Sequence, residues 1–253
     1  MKTRILLLSA AGLLSLAACG GDKAAEGNAA ASKPVAAVKP PANGDWSTVV
    51  TETTAGGYMM GNPDAPVTVV EYGSYTCPHC AEFDETGLQP LIDNYVKNGK
   101  VAFEYRSFVR DPLDMAAALI ARCNGAQSFF PLSRAIFGDQ QNWITKLQQV
   151  PQQQLQSLQS LPPEQQLSEM AKLAGFQQFA AARGVPEAKA NQCLANQQTT
   201  TQLVQTTSDA TSQYPEFPGT PTFILNGKMT EGAKPGQSIW QALEADIKEA
   251  LGS

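Results

Sequence analysis

The sequence predicts an α/β fold in which a β-α-β half at residues 45–111 and a β-β-α half at residues 214–253 flank an all-helical insertion at 112–213. Three observations carry this. A β-branched run, "PVTVVEY" (66–72), leads into a helix start at Pro78 and then into a second alternating run, "KVAFEYRSF". Near the end of the chain, "TPTFILNGKMTEG" reads as a hairpin followed by an amphipathic helix. The residues between carry helical periodicity and no strand pattern.

Taken in order, "WSTVVT" (46–51) reads as a short extra strand, and "GNPDAP" as a turn ahead of the strand at 66–72. That strand is short, apolar and β-branched, the pattern of a buried strand. Pro78 suits the first helical position, where an N–H would find no partner anyway. Cys80, Phe83, Leu91, Ile92, Tyr95 and Val96 continue the helical pattern, and Gly87 and Pro90 predict a kink in it. Val101, Phe103 and Tyr105 then alternate as a second strand.

In the insertion, Asp111 can cap a helix through "LDMAAALIARC" that stops at Asn124-Gly125. Residues 140–166 hold 11 glutamines in 27 positions. Leu155, Leu158 and Leu161 still recur at helical spacing, so the segment reads as short amphipathic helices rather than a disordered tract. Pro186 begins another helix in "VPEAKANQCLANQQ". Residues 222–225 form a strand, Asn226-Gly227 a hairpin turn, and Ile239, Leu243, Ile247 and Leu251 one face of the last helix.

The first 18 residues place Lys2 and Arg4 before an apolar run and then small residues, the layout of a secretory signal. The run is shorter than the roughly 20 residues a spanning helix needs. "LAAC" at 16–19 resembles the lipobox of bacterial lipoproteins, where cleavage precedes a cysteine that is then acylated. Cys19 is therefore expected to carry lipid; an ordinary cut near Ala18, with Cys19 incidental, is the alternative. Residues 19–44 are poor in large apolar side chains and read as a disordered tether. Beyond residue 18 the chain holds 16 basic and 23 acidic residues, a net of −7 without basic clusters. That balance argues against nucleic-acid binding.

If Cys19 is acylated, Cys77, Cys80, Cys123 and Cys193 remain, one close pair and one distant pair in an export compartment that permits disulfides. The close pair lies in "YGSYTCPHCAEF", which also contains the chain's single histidine, His79. A CxxC alone can be redox-active, half of a zinc site or a copper-binding pair. Here it follows a strand and starts a helix, where unpaired N–H groups and partial positive charge favour a thiolate. His79 adds a donor or a charge beside the sulfur. Cys77 is expected to be the exposed nucleophile and Cys80 the buried resolving thiol. Glu71, a carboxylate inside an apolar strand, is either the proton relay for Cys80 or a surface residue at a strand end. Pro221, in "FPGTPTF", precedes a β-rich run, where proline is tolerated only at a strand start or an edge.

The strand–"CPHC"–helix unit, the "GTPT" before a hairpin and the helical insertion resemble the DsbA-like branch of the thioredoxin superfamily, over roughly residues 60–251. The resemblance implies a thioredoxin fold with an inserted all-helical domain and a thiol:disulfide oxidoreductase with no cofactor and no metal. It implies Cys77 and Cys80 as the redox-active disulfide, with His79 as thiolate stabiliser. Pro221 would be a cis-proline, with Thr220 and Pro78 contacting substrate. It places Glu71 at the family's buried acid, with Arg106 as a possible basic partner, and Cys123 and Cys193 as a second, structural disulfide. Implied partners are reduced or unfolded exported proteins and a membrane thiol oxidase or reductase. The implied setting is the periplasm-facing bacterial envelope, with the membrane held through Cys19.

Two features depart from the usual soluble members, the lipid anchor and Thr220 where valine is typical. Threonine there also occurs in isomerase-type relatives, so an isomerase or reductase kept reduced by a membrane partner is the alternative to an oxidase. Residues 20–57 are too short and too poor in apolar side chains for the dimerisation domain of those isomerases. A copper-binding thiol protein is a third reading, weakened because the motif presents only two thiolates.

Overall fold

The computed structural model describes residues 40–252. The signal sequence, Cys19 and most of the expected tether lie outside the described residues. A six-stranded sheet runs in the order β1-β2-β4-β3-β5-β6. Its strands are β1 (Val50–Glu52), β2 (Tyr58–Met60), β3 (Val67–Gly73), β4 (Val101–Ser107), β5 (Thr222–Leu225) and β6 (Lys228–Met229). β3 and β4 pair in parallel, from Val67 opposite Val101 to Gly73 opposite Ser107. The other pairings are antiparallel. A parallel pair requires a crossover, and the helical segment 78–96 supplies it.

Two early elements differ from expectation. The strand expected at 46–51 is a 3-10 turn at Trp46–Thr48, capped by Asp45, followed by β1 one residue later. β2 was not legible at all: three residues between glycines give too short a run for alternation to register. At Gly87 and Pro90, where the sequence predicts a kink, the regular α-helical pairing is interrupted. α1 (Pro78–Phe83) runs into π-helical Asp84–Leu88, then α2 (Gln89–Leu91), then π-helical Ile92–Val96. Pro90 has no N–H to give, and the wider i→i+5 pairing on either side lets the helical path continue past it.

β3 is buried on both faces, as a central parallel strand must be, and strand alternation sorts the core. Val69, Phe103 and Tyr105 pack with Phe83 and with Leu243 and Ile247 of the last helix, α11 (Ile239–Leu251). Val70, Tyr72 and Ile224 form a second cluster with Ala210, flanked by Phe108, Tyr214 and Phe217. Phe103 is 1% exposed, a burial that stabilises the fold by roughly 1.5–3 kcal/mol.

The insertion comprises α3 (Pro112–Arg122), α4 (Ala126–Gly138), α5 (Gln140–Gln148), α6 (Gln152–Leu158), α7 (Pro163–Ala174), α8 (Phe176–Ala181), α9 (Glu187–Leu194) and α10 (Gln197–Gln213); α11 is Ile239–Leu251. α3 is buried on all sides from Leu113 to Arg122, so it is a core helix wrapped by its neighbours. Asn226 (φ 50°) and Gly227 (φ 83°) both take the left-handed backbone that a tight two-residue hairpin requires.

Cys123 and Cys193 form a disulfide across 70 residues, with Cα atoms 5.6 Å apart. Closing a loop of that length restricts the unfolded chain by about 4 kcal/mol in the chain-entropy model. Replacing both residues by serine is expected to lower unfolding stability by about that much in urea titration. An unchanged midpoint would contradict the assignment.

Candidate active site

The motif sits where β3 gives way to α1. β3 ends at Gly73, where a Cβ would lie 2.5 Å from the Tyr105 ring and 2.9 Å from Glu71 Oε1, so only glycine fits. Three loop residues follow. Cys77 is the N-cap of α1, with extended backbone, and Pro78 takes the first helical turn. This brings both cysteines to the helix N-terminus, as the spacing predicts, in thiol form.

Cys77 is not the exposed residue expected of it: it is 3% exposed, and Cys80 is 0% exposed. The segment before β5 covers it. The Cys77 thiol donates to the Thr220 carbonyl oxygen at 3.1 Å, and the Thr220–Pro221 bond is cis. Thr220 and Pro221 line a cleft of about 290 Å³ with His79, Phe223, Ile239 and Leu243. Pro78 is exposed beside it.

The two thiols are driven apart electrostatically. The Cys77 thiol is lowered to about 5, chiefly by the hydrogen bond from the Cys80 side chain. Burial opposes this, while the Thr220 side chain and the main-chain N–H groups of Cys80 and His79 assist. Burial pushes the Cys80 thiol well above the usual cysteine range, reinforced by its bond to Cys77 and by the nearby Glu71 and Cys77 charges. Ser74 N–H donates to Cys80 Sγ at 3.5 Å.

The His79 imidazole, expected beside the sulfur, lies on Glu82 instead, with Nδ1 3.2 Å from Oε2 and the side chain 71% exposed. What His79 supplies to the thiolate in this arrangement is its backbone N–H. Glutamate one turn ahead on the same helix face offers the imidazole a charged, solvated partner.

Glu71 is 3% exposed, and its Oε1 has no hydrogen-bond partner among the described residues. Burial raises its carboxyl well above the ordinary range, and the charges of Asp84 and Cys77 raise it further. Arg106, expected as its partner, is not. Arg106 stands opposite Tyr72 in the β3–β4 register and donates to the Tyr72 hydroxyl and to both Glu104 carboxylate oxygens. Alternation on β3 puts Tyr72 and Glu71 on opposite faces of the sheet, so Arg106 cannot reach Glu71.

Sequence reasoning missed three polar residues around the motif. Asp84, one turn after Cys80, is raised to about 6 by burial, against the opposing pull of Arg134 at 3.7 Å. Asp114 on α3 is raised to about 7 by burial, against hydrogen bonds from Ser74, Arg110 and Tyr75. Gln140 on α5 donates to Tyr75 and Cys77 carbonyls. Asp84 had a signal, an acid on an otherwise buried helix face. Asp114 and Gln140 gave none, because their partners lie far along the chain. Among the described residues, no cluster of three or more His, Cys, Asp or Glu side chains is arranged to hold a metal, and no helix is long and apolar enough to cross a membrane.

A family model described as thioredoxin matches residues 53–245. A protein-disulfide isomerase from Novosphingobium aromaticivorans is similar in structure, with a TM-score of 0.72 and 34% identity over 78% of this chain and 98% of that one. Wolbachia pipientis alpha-DsbA1 shares the fold at a TM-score of 0.60 and 21% identity, covering 77% of this chain and 90% of that one. A Rickettsia prowazekii protein provisionally named a protein-disulfide oxidoreductase is 31% identical over 197 residues, 76% of this chain; the chain spans only 64% of that protein's length. A CxxC at a helix N-terminus, with the Cys77 thiol against the residue before a cis-proline, accompanies these similarities, and the chain belongs to the thioredoxin family.

Proposed function

We propose that this chain is a thiol oxidase of the bacterial cell envelope that passes a Cys77–Cys80 disulfide to exported proteins. The observation that carries the reading is the separation of the two thiols, Cys77 lowered to about 5 and Cys80 raised well above the usual range. A low-pKa sulfur is a good leaving group, and stabilising its thiolate stabilises the reduced protein, which makes the disulfide easy to give away.

The steps balance as follows. A substrate thiolate attacks Cys77 Sγ, the Cys77–Cys80 bond breaks, and Cys80 leaves as a thiolate. Glu71, whose carboxyl burial raises well above the ordinary range, is the proton donor within the core that meets this charge. A second substrate thiolate then attacks the substrate sulfur of the mixed disulfide. Cys77 departs as a thiolate, the substrate is oxidised, and the protein is left as a dithiol for a membrane thiol oxidase to reoxidise. Thr220 and Pro221, half-buried in the lining of the cleft, and Pro78, exposed next to Cys77 in the chain, are the contacts for an extended substrate segment. The segment 112–213 acts as the helical insertion of a thioredoxin-fold domain built from 45–111 and 214–253. The chain is exported by residues 1–18 and held at the membrane through lipid on Cys19 and a tether to residue 44, which rests on the sequence pattern alone.

The isomerase or reductase reading is favoured by two features, Thr220 before the cis-proline and the similarity to a protein named a protein-disulfide isomerase. Mixing the oxidised protein with a reduced, unfolded test protein separates the two. Transfer of one disulfide per molecule supports the oxidase. Inert oxidised protein, with reduced protein that opens disulfides, would overturn it.

A further inference from the structure

Asp114 and Gln140 of the helical insertion, with Asp111 at the N-cap of α3, grip the loop that presents the motif. Asp114, 1% exposed, accepts the Ser74 hydroxyl at 2.6 Å, the Tyr75 N–H at 2.7 Å and the Arg110 N–H at 3.0 Å. Asp111 accepts the Thr76 hydroxyl at 3.0 Å and caps the Asp114 N–H at 2.9 Å. Gln140 donates through Nε2 to the carbonyls of Tyr75 at 2.7 Å and Cys77 at 3.0 Å. The loop held this way has one direct contact with the resolving sulfur, the Ser74 N–H on Cys80 Sγ.

That contact faces the atom that must become charged. When a thiolate attacks Cys77 Sγ and the intramolecular S–S bond breaks, the electron pair goes to Cys80 Sγ, deep in the core. A donor aimed at a developing charge acts most strongly when it is already in place. Aspartate suits the task of fixing it, because three donors converge on its two oxygens, both of them acceptors once the carboxyl is ionised; asparagine would turn an N–H₂ group toward them.

We propose that Asp114 is a positioning residue for disulfide exchange. Through the Ser74 hydroxyl and the Tyr75 N–H it holds the Ser74 N–H on Cys80 Sγ, so the insertion sets how readily Cys80 leaves. This rests on the oxidoreductase reading above.

The test compares two rates in the full exported chain. One is the attack of a small thiol such as glutathione on the oxidised protein, in which Cys80 is the leaving group. The other is alkylation of Cys77 in the reduced protein, in which Cys80 takes no charge. Asp114→Asn is expected to slow the first about ten-fold, the scale of one hydrogen bond to a charged group, and to change the second by no more than about two-fold. Ser74→Ala, which removes only the hydroxyl arm, is expected to slow the first about three-fold and serves if Asp114→Asn fails to fold. Both variants reacting at the parent rate, or both rates falling in equal proportion, would overturn the positioning role while leaving the functional reading intact. A parent protein inert to thiols would overturn the functional reading and the positioning role with it.

Discussion

Cys77→Ser is expected to reduce disulfide exchange to the uncatalysed rate, while Cys80→Ser is expected to react once and then hold its substrate as a mixed disulfide. The asymmetry follows from the two thiols' surroundings. With a pKa of about 5, Cys77 is roughly 99% thiolate at pH 7, whereas Cys80, buried and raised well above the usual range, stays protonated. Only Cys77 is a ready nucleophile at neutral pH and the sulfur that leaves from the mixed disulfide with substrate, and serine at that position supplies neither role. Without the Cys80 sulfur, nothing within the protein expels a substrate bound to Cys77. The foremost cause of the low Cys77 pKa is the bond from the Cys80 side chain, so Cys80→Ala, which has no donor, is expected to move the alkylation midpoint upward from about 5. Cys80→Ser keeps a hydroxyl donor and is expected to move it less. Alkylation rates across pH check the midpoints, and attack of the reduced Cys80→Ser protein on a peptide disulfide, with one half held on Cys77 and the other released as a thiol, followed by mass, checks the trapping. A Cys77→Ser protein that still exchanges disulfides would contradict the assignment.

The second large effect is a pH-dependent gap in stability between reduced and oxidised protein. Cys77 has a folded pKa below its unfolded value, so its thiolate stabilises the folded reduced form. That contribution is complete above about pH 9, shrinks by about 1.4 kcal/mol per unit as pH falls, and is gone below about pH 5. At pH 7 it amounts to about 2.7 kcal/mol in favour of the reduced form, equivalent to roughly 60 mV for a two-electron couple. Glu71, Asp84 and Asp114 act in the opposite direction. Their folded pKa values are raised, so each contributes stability at low pH that is lost as pH rises through the acidic to neutral range. They are present in both redox forms and largely cancel in the difference. Urea titrations of the two forms between pH 5 and pH 8 are therefore expected to diverge steadily, with the reduced form gaining. Parallel curves would contradict the thiolate account.

How far the chain could be read in advance depended on whether the signal was local. The β3–CxxC–helix passage, the Asn226-Gly227 hairpin and the glutamine-rich helices are all written in neighbouring residues, and they form as the sequence predicts. β2 was too short to show a period. Arg106 was assigned to Glu71 because both lie on neighbouring strands, yet the register sets Arg106 against Tyr72, on the far face. His79 is local and still misled, since position in the chain does not say which way an imidazole turns, and Glu82 is the partner it meets. Asp114 and Gln140 reach the motif across 39 and 63 residues, through contacts that exist only once α3 and α5 are packed. The chemistry of the two sulfurs was legible; the scaffolding that orients them belongs to tertiary structure.

The most direct test of the central claim, that thiolate stabilisation makes the Cys77–Cys80 disulfide a ready oxidant, is its reduction potential against glutathione buffers at pH 7 in protein lacking residues 1–19. The account predicts a value well above the roughly −270 mV of thioredoxin. A value at or below that level would mean that the low Cys77 pKa does not set the poise of the pair, and that the protein gives electrons rather than takes them.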